Sequence, residues 1–303
     1  MTHVWAALMI AAASLGQADV RHEERFGLPP GRTLWRSSYV CVFNGRTRCP
    51  DVVVEYLTAK RLEGRLNRED SWRADKEVPI EFRPTPADYA GSGYDLGHMI
   101  PWADCQRSDD DARATFLVSQ ACPQLHGVNA GTWLRAERAV RDIVKRADIA
   151  GVWVYSGPLW WAEEAERELR VVRIGRNGVW VPTHYFKVVL AELNDGSLRA
   201  WAVIVPHRER LGADVGLEAY AVAIDDVERA SGLDLLAGLP DGDEDALEAR
   251  DAKPFAVVAY PSPPGWVLPP ATGARAGGAY GAIWARGGEQ SASPSPHGPR
   301  RPA

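Results

Sequence analysis

Tyr94-Asp95-Leu96-Gly97-His98-Met99, followed by Pro123-Gln124 and then by Asn129, Trp133 and Glu137, is the stretch from which the rest of the chain can be read. A histidine with an ordinary pKa of ~6.5 keeps a neutral ring nitrogen near physiological pH, so His98 can take a proton from water. Asn129, at a helix start, supplies a hard amide oxygen of the kind Mg²⁺ takes. Glu137, two turns along the same helix, can hold waters around such an ion. Base, metal ligand and water-holder are the parts that hydrolysis of a phosphodiester needs.

Asn129, Trp133, Glu137 and Arg141 recur at every fourth position. Four residues advance ~40° past a full turn of an α-helix, so these side chains form one gently drifting stripe. The same spacing has a bland account, with Asn129 as an N-cap and Glu137–Arg141 as a surface ion pair. Spacing alone does not separate the two.

The surrounding segments carry a family resemblance. Asp88-Tyr89-Ala90-Gly91-Ser92-Gly93-Tyr94-Asp95-Leu96-Gly97-His98 resembles the signature of the DNA/RNA non-specific endonucleases, the ββα-metal group, which reads Asp-Arg-Gly-His. Leu96 stands where the family has arginine. Upstream, Asn67-Arg68-Glu69-Asp70-Ser71-Trp72-Arg73 is similar to the family's Asn-Arg-x-Asp-x-aromatic-Arg segment. Thr115-Phe116-Leu117, Pro123-Gln124, Asn129, Trp133, Glu137 and Arg141 fall at the family's spacing. Ser156-Gly157-Pro158, Val181-Pro182-Thr183-His184-Tyr185-Phe186-Lys187 and Ile224-Asp225-Asp226-Val227-Glu228 continue the likeness to about Pro240.

The resemblance implies an α+β, ββα-metal nuclease fold with a mainly antiparallel central sheet flanked by helices. It implies His98 as general base, Asn129 as the direct ligand of Mg²⁺ (or of Mn²⁺ in its place), and Glu137 acting on the metal through waters. Arg68 would stabilise the charged phosphorane, and Arg141 would contact phosphate. Asp95 would orient the histidine or tie down its loop, and Gly97 would let the backbone approach substrate or turn sharply. DNA and RNA are the expected partners, cut with little sequence preference. The mature chain is expected as a homodimer without a membrane.

Composition sets the limits. With 303 residues, 46% hydrophobic and 25% charged, the chain is globular and long enough for a sizeable core. Its formal charge of −5 does not advertise a nucleic-acid binder. Local balance differs, because Arg135, Arg138, Arg141, Lys145 and Arg146 crowd the Asn129 helix and Arg61, Arg65, Arg68 and Arg73 precede the histidine. Such runs are more often simply solvated faces. A phosphate loop and a dinucleotide-type glycine fingerprint are both missing, which argues against nucleotide-cofactor chemistry. Two rival readings stand. One is a non-catalytic nucleic-acid-binding protein that keeps the nuclease fold, raised by Leu96. The other is a zinc-stabilised structural domain on His98, Cys105, Cys122 and His126.

Residues 1–18 read as a secretory signal with a small-residue cleavage site near Ala18, so the expected location is secreted or periplasmic. Disulfides persist there. Cys41 and Cys49 flank the turn dipeptide Asn44-Gly45 and are expected to be bridged, whereas Cys105 and Cys122 are left open as a second bridge or buried thiols. An irregular arm is expected to about residue 50, within a domain covering 19–260. Strands are expected at 52–57, at the end of 93–98, and at 116–121, 152–155, 169–174, 184–193, 198–205 and 220–223. Helices are expected at 109–115 and 129–147, with a third opening at Asp225 or Asp226 and closing before Gly232. The Pro-, Gly- and Ser-rich stretch 261–303 reads as a disordered tail.

Overall fold

The computed structural model describes residues 21–68, 70–161, 171–208 and 215–239. The strands are β1 (Arg32–Trp35), β2 (Tyr39–Asn44), β3 (Cys49–Leu57), β4 (Asp95–His98), β5 (Ala121–Gln124), β6 (Ile149–Leu159), β7 (Arg173–Ile174), β8 (Val179–Trp180), β9 (His184–Leu193), β10 (Leu198–Pro206) and β11 (Ala221–Val222). The α-helices are α1 (Asp109–Ala114), α2 (Leu134–Val144) and α3 (Ile224–Ser231). One antiparallel sheet runs β1-β2-β3-β6-β9-β10-β11, and β4 pairs with β5 in a separate hairpin. This is the expected α+β architecture.

Central strands are read off their composition. β9 is buried over its first eight residues, with no polar face, because both sides of the sheet are covered. Alternate residues go to different layers. Tyr185, Val189 and Ala191 face α2 and the β4–β5 hairpin, while Phe186, Val188 and Leu190 face α3 and Leu235–Leu236. At the β9–β10 turn, Gly196 takes φ +84 and the Asp195 carboxylate accepts from Ser197 N. That left-handed position is where glycine is free of Cβ strain. α1 opens on Ser108, whose hydroxyl accepts from Asp111 N at 3.1 Å, with acids filling its first turn. α3 closes on Gly232 at φ +71.

Several expectations need correction. The stretch before residue 50 is not an irregular arm, since β1 and β2 lie in it and form one edge of the sheet. Tyr39-Val40-Cys41-Val42-Phe43 lacks alternation because β2 is covered on both faces. The strand expected at 116–121 is a 3₁₀ turn (Val118–Gln120) leading into β5. There, Phe116 O and Val118 N bond the backbone of Arg73, and the Gln120 side-chain Oε1 accepts from Met99 N and Ile100 N. The helix expected from Asn129 is broken. A π-helical turn (Val128–Trp133), with Gly131 at φ −105 and ψ −106, precedes α2, which ends at Val144.

The expected Cys41–Cys49 bridge is absent, and all four cysteines are free and buried. Cys41 lies opposite Val53 and Cys49 opposite Asn44, so the two sit on different rungs of the hairpin ladder. Their thiols donate instead to Ser119 O at 3.4 Å and Trp180 O at 3.6 Å. The expected signal at 1–18, the tail at 261–303 and residues 169–170 of the strand expected at 169–174 lie outside the described residues, and of the remaining four only Arg173–Ile174 is a strand. None of the described helices is long and apolar enough to cross a membrane.

Candidate active site

β4 carries His98 at its end, and its register with β5 sets Asp95 opposite Gln124 and Gly97 opposite Cys122. A Cβ at Gly97 would lie 2.1 Å from Gln124 Oε1, and the Gln124 side chain is fully buried. Glycine is therefore needed so that Gln124 can cross the strand. The expectation of a sharp turn or a close substrate approach is replaced by this packing reason. Tyr185 OH donates to Pro123 O, and His207 holds the chain two residues on, its Nε2 accepting from Leu125 N at 2.7 Å. His207 Nδ1 sits 2.7 Å from Pro182 O and must donate, so the ring is neutral. The far end of the main sheet thus anchors the hairpin.

His98 lies against the rings of Trp72 (centroids 4.4 Å apart) and Phe116 (5.3 Å). Its Nε2 is covered and has no hydrogen-bond partner. Burial pulls its pKa down to about 3, with the positive Arg68 pushing the same way and Asp70 opposing. This corrects the expectation of an ordinary histidine pKa, because the aromatic wall removes the water that would stabilise an imidazolium. Arg68 stands on the same wall, its guanidinium 5.8 Å from the Phe116 ring and 5.9 Å from the Trp102 ring. Its Nε donates to Asp70 at 2.7 Å.

Asn129 Nδ2 donates to Asp95 Oδ2 at 3.0 Å, and His126 Nδ1 lies 2.9 Å from the same oxygen. A carboxylate can only accept, so the amide orientation is forced and Asn129 presents its Oδ1 elsewhere. Asp95 ties down Asn129 and not the imidazole of His98. Trp133, fully buried, donates its Nε1 to His98 O at 2.9 Å and so bolts the Asn129 turn to the histidine strand. The four-residue spacing marked Trp133 as part of the stripe but gave no hint of this bond.

Glu137 is half-buried on α2, and burial raises its carboxyl to about 7 against the pull of Lys187. Arg141 does not take Glu137 as its partner. It donates to the buried Asp104 at 2.9 Å, which corrects the expected Glu137–Arg141 surface pair. Beneath them, Lys187 donates to Ser156 Oγ at 2.5 Å, with its Nζ 4.5 Å from the Trp133 ring centroid. Leu96 packs partly buried against the core. Arg107 engages Asp111 at 4.0 Å.

The donor set bears on the zinc reading. Among the described residues, no group of three or more His, Cys, Asp or Glu side chains is arranged to hold an ion. Cys105 and Cys122 are buried, whereas the His126 side chain is 82% exposed, so the zinc reading fails. One oriented amide oxygen on the π-helical turn, with a half-buried carboxylate on α2 after it, fits a hard cation that keeps most of its waters.

Similarity to known proteins runs across this whole unit. The sequence profile of the DNA/RNA non-specific endonuclease family matches residues 19–242. Mitochondrial nuclease 1 of Schizosaccharomyces pombe is 34% identical over 220 residues, covering 69% of this chain and 67% of that protein. Mitochondrial nuclease EXOG of Danio rerio is 35% identical over 217 residues, covering 69% and 62%. Human mitochondrial endonuclease G is 34% identical over 214 residues, covering 69% and 71%. The chain thus spans about two thirds of each relative's length. Among solved structures, the EndoG/EndoGI complex contains a chain with a TM-score of 0.68 at 28% identity, covering 72% of this chain and 91% of that one. These relatives are mitochondrial, which overturns the expectation of a secreted or periplasmic protein.

Proposed function

Since the chain belongs to the DNA/RNA non-specific endonuclease family and is an endonuclease, we propose that it hydrolyses phosphodiester bonds of both DNA and RNA with His98 as base and Mg²⁺ at Asn129. The observation that carries this reading is the pair of held, unspent atoms: His98 Nε2, covered and unpartnered, and Asn129 Oδ1, aimed by Asp95.

In this reading His98 Nε2 takes the proton of the attacking water. Its low basicity in the free protein rises when an anionic phosphodiester enters beside it, because negative charge favours the imidazolium. Arg68, partly exposed on the aromatic wall, meets the charge that develops on phosphorus. Mg²⁺, when bound, supplies positive charge to the phosphoryl oxygens and to the departing 3′ oxygen. Glu137 would hold the waters of that ion through its carboxyl group. Arg141, committed to Asp104, is given the lesser part of keeping positive charge near Glu137 and the phosphate.

The direct test is degradation of plasmid DNA and of RNA by the purified protein, with Mg²⁺ or with EDTA. Cutting of both polymers that stops in EDTA is expected. A gel shift without cutting would favour the non-catalytic binding protein that Leu96 raises.

A further inference from the structure

A second basic site lies away from His98. A cleft of about 690 Å³ opens between the β2–β3 turn, the β7–β8 hairpin and the loop carrying Phe82. Arg32, Arg46, Arg48 and Arg173 line it with Phe82 and Trp180, and no carboxylate is among its lining residues. The recorded bonds of Arg32 and Arg48 go to carbonyl oxygens, those of Glu77 for Arg32 and of Arg46 and Glu81 for Arg48. These carbonyls take guanidinium donors without cancelling the charge, and Arg48 Nε has no partner. The guanidinium carbons of Arg46 and Arg173 stand 5.7 and 5.3 Å from the Trp180 ring centroid. The two like charges meet over one ring, and burial together with Arg173 lowers the Arg46 pKa.

The turn that presents these arginines is preset. Asn44 Oδ1 accepts from Arg46 N and Thr47 N, while Arg48 adopts φ +58, an uncommon conformation for a residue with a Cβ. Phe82, 42% exposed, lies over Gly45, where a Cβ would come within 2.9 Å of its ring. Asn177, across the cleft, donates through its backbone N and its Nδ2 to Asp88, the first residue of the segment that leads to His98.

We propose that this cleft is an accessory nucleic-acid site, holding a phosphodiester of a single-stranded stretch on its arginines with a base against Phe82. The inference rests on the nuclease reading, in that the strand held here is substrate. The cleft volume is within the range of small-ligand sites, ~300–1,000 Å³, so it admits a nucleotide unit and not a duplex. Aromatic faces take any base and guanidinium groups take any phosphate, so such a site adds grip without sequence preference.

The test uses a fluorescein-labelled (dT)12 strand and the full chain carrying His98→Ala, so that the strand survives. Adding Arg46→Glu and Arg173→Glu should weaken binding about tenfold. The slope of log K against log salt should fall by about 0.7, the change for one lost phosphate contact on a single strand. With His98 intact, the same two substitutions should leave turnover of bis(p-nitrophenyl) phosphate unchanged, because that probe is too small to span both sites. A 5-bromodeoxyuridine strand irradiated on the unsubstituted protein in EDTA should crosslink to the Phe82 peptide, an arm that does not depend on how variants fold. Unchanged affinity and salt slope in a folded variant, or crosslinks confined to the Trp72 and Trp102 peptides, would overturn the cleft. A chain that cuts nothing yet loses binding on Arg46→Glu and Arg173→Glu would sink the nuclease reading and keep the cleft.

Discussion

The two faces of the central sheet are built from different materials. The face toward α3 is an apolar layer of Val40, Val52, Val188, Leu190, Ile204, Val227 and Leu236. The face toward α2 has an apolar floor as well, but it also buries Glu55, Asp104 and Lys187, with Arg141 and Glu137 at their edge. Both carboxylate oxygens of Glu55 are covered and unpartnered, and burial holds its pKa well above the usual carboxylate range. Unpaired buried polar groups cost free energy. On the α3 side the covered, unpartnered group is the neutral Tyr155 hydroxyl, whereas the α2 side carries that cost on a carboxyl group, with Trp133 connecting the nearby Lys187 charge to the His98 strand. Both faces supply apolar packing, and the proposed chemistry lies on the α2 face alone.

Substitutions can separate the two. On the α2 face, Asn129→Ala should reduce Mg²⁺-dependent cleavage at least a hundredfold, and Glu137→Ala about 10–100-fold, as for groups that act on a metal through waters. A Mg²⁺ titration of cleavage checks both, and unchanged curves would return Asn129 and Glu137 to structural roles. On the α3 face, Leu236→Ala should cost about 2–5 kcal/mol of stability in denaturant unfolding while leaving the cleavage rate of the folded protein unaltered. A rate that fell in step with stability would show that the two faces are not separable.

Leu96→Arg is a smaller and more pointed change. A charge-assisted hydrogen bond contributes about 1.5–3 kcal/mol, which is one to two powers of ten in rate. Restoring the family's arginine should raise cleavage by up to that factor. A loss of activity would show that Leu96 packing matters more than the missing charge.

The gentlest effect is on pH. His207 has its pKa lowered from 6.5 to about 4 by burial, so folding favours its neutral form. Its contribution to stability is complete above pH 6.5 and is lost as the pH falls toward 4. His98, lowered to about 3, adds to the same slope. The melting temperature should therefore decline across that window, less steeply in His207→Gln. Equal slopes for the two proteins would mean that His207 is not held neutral.

Legibility in the sequence followed range. β9 and β10 were readable to within a residue, because an apolar run bounded by Asn194-Asp195-Gly196-Ser197 is a local signal. His98, Asn129 and Glu137 were singled out through the family resemblance, since their spacing alone fitted an N-cap and a surface ion pair equally well. β2 was missed since a strand buried on both faces has no alternation to read. The break at Gly131 was hidden because the four-residue stripe fits an unbroken helix equally well. Long-range bonds left no trace at all: Asp95 to Asn129, Trp133 to His98 O, His207 to Leu125 and Arg141 to Asp104 each join distant segments. The covered environment that lowers the His98 pKa depends on Trp72 and Phe116, which no local pattern links to it. The Cys41–Cys49 expectation failed for a related reason, in that the register of the β2–β3 ladder was not visible.

The central claim is that His98 acts on the reacting water and does not merely fill the aromatic wall. It is tested most directly by His98→Ala, measured for both cleavage and strand binding. General-base catalysis contributes about 10²–10⁴-fold, so cleavage of DNA and RNA should fall by that factor while affinity for an oligonucleotide stays within a few-fold of the unsubstituted protein. Cleavage retained within a few-fold by His98→Ala would contradict the account.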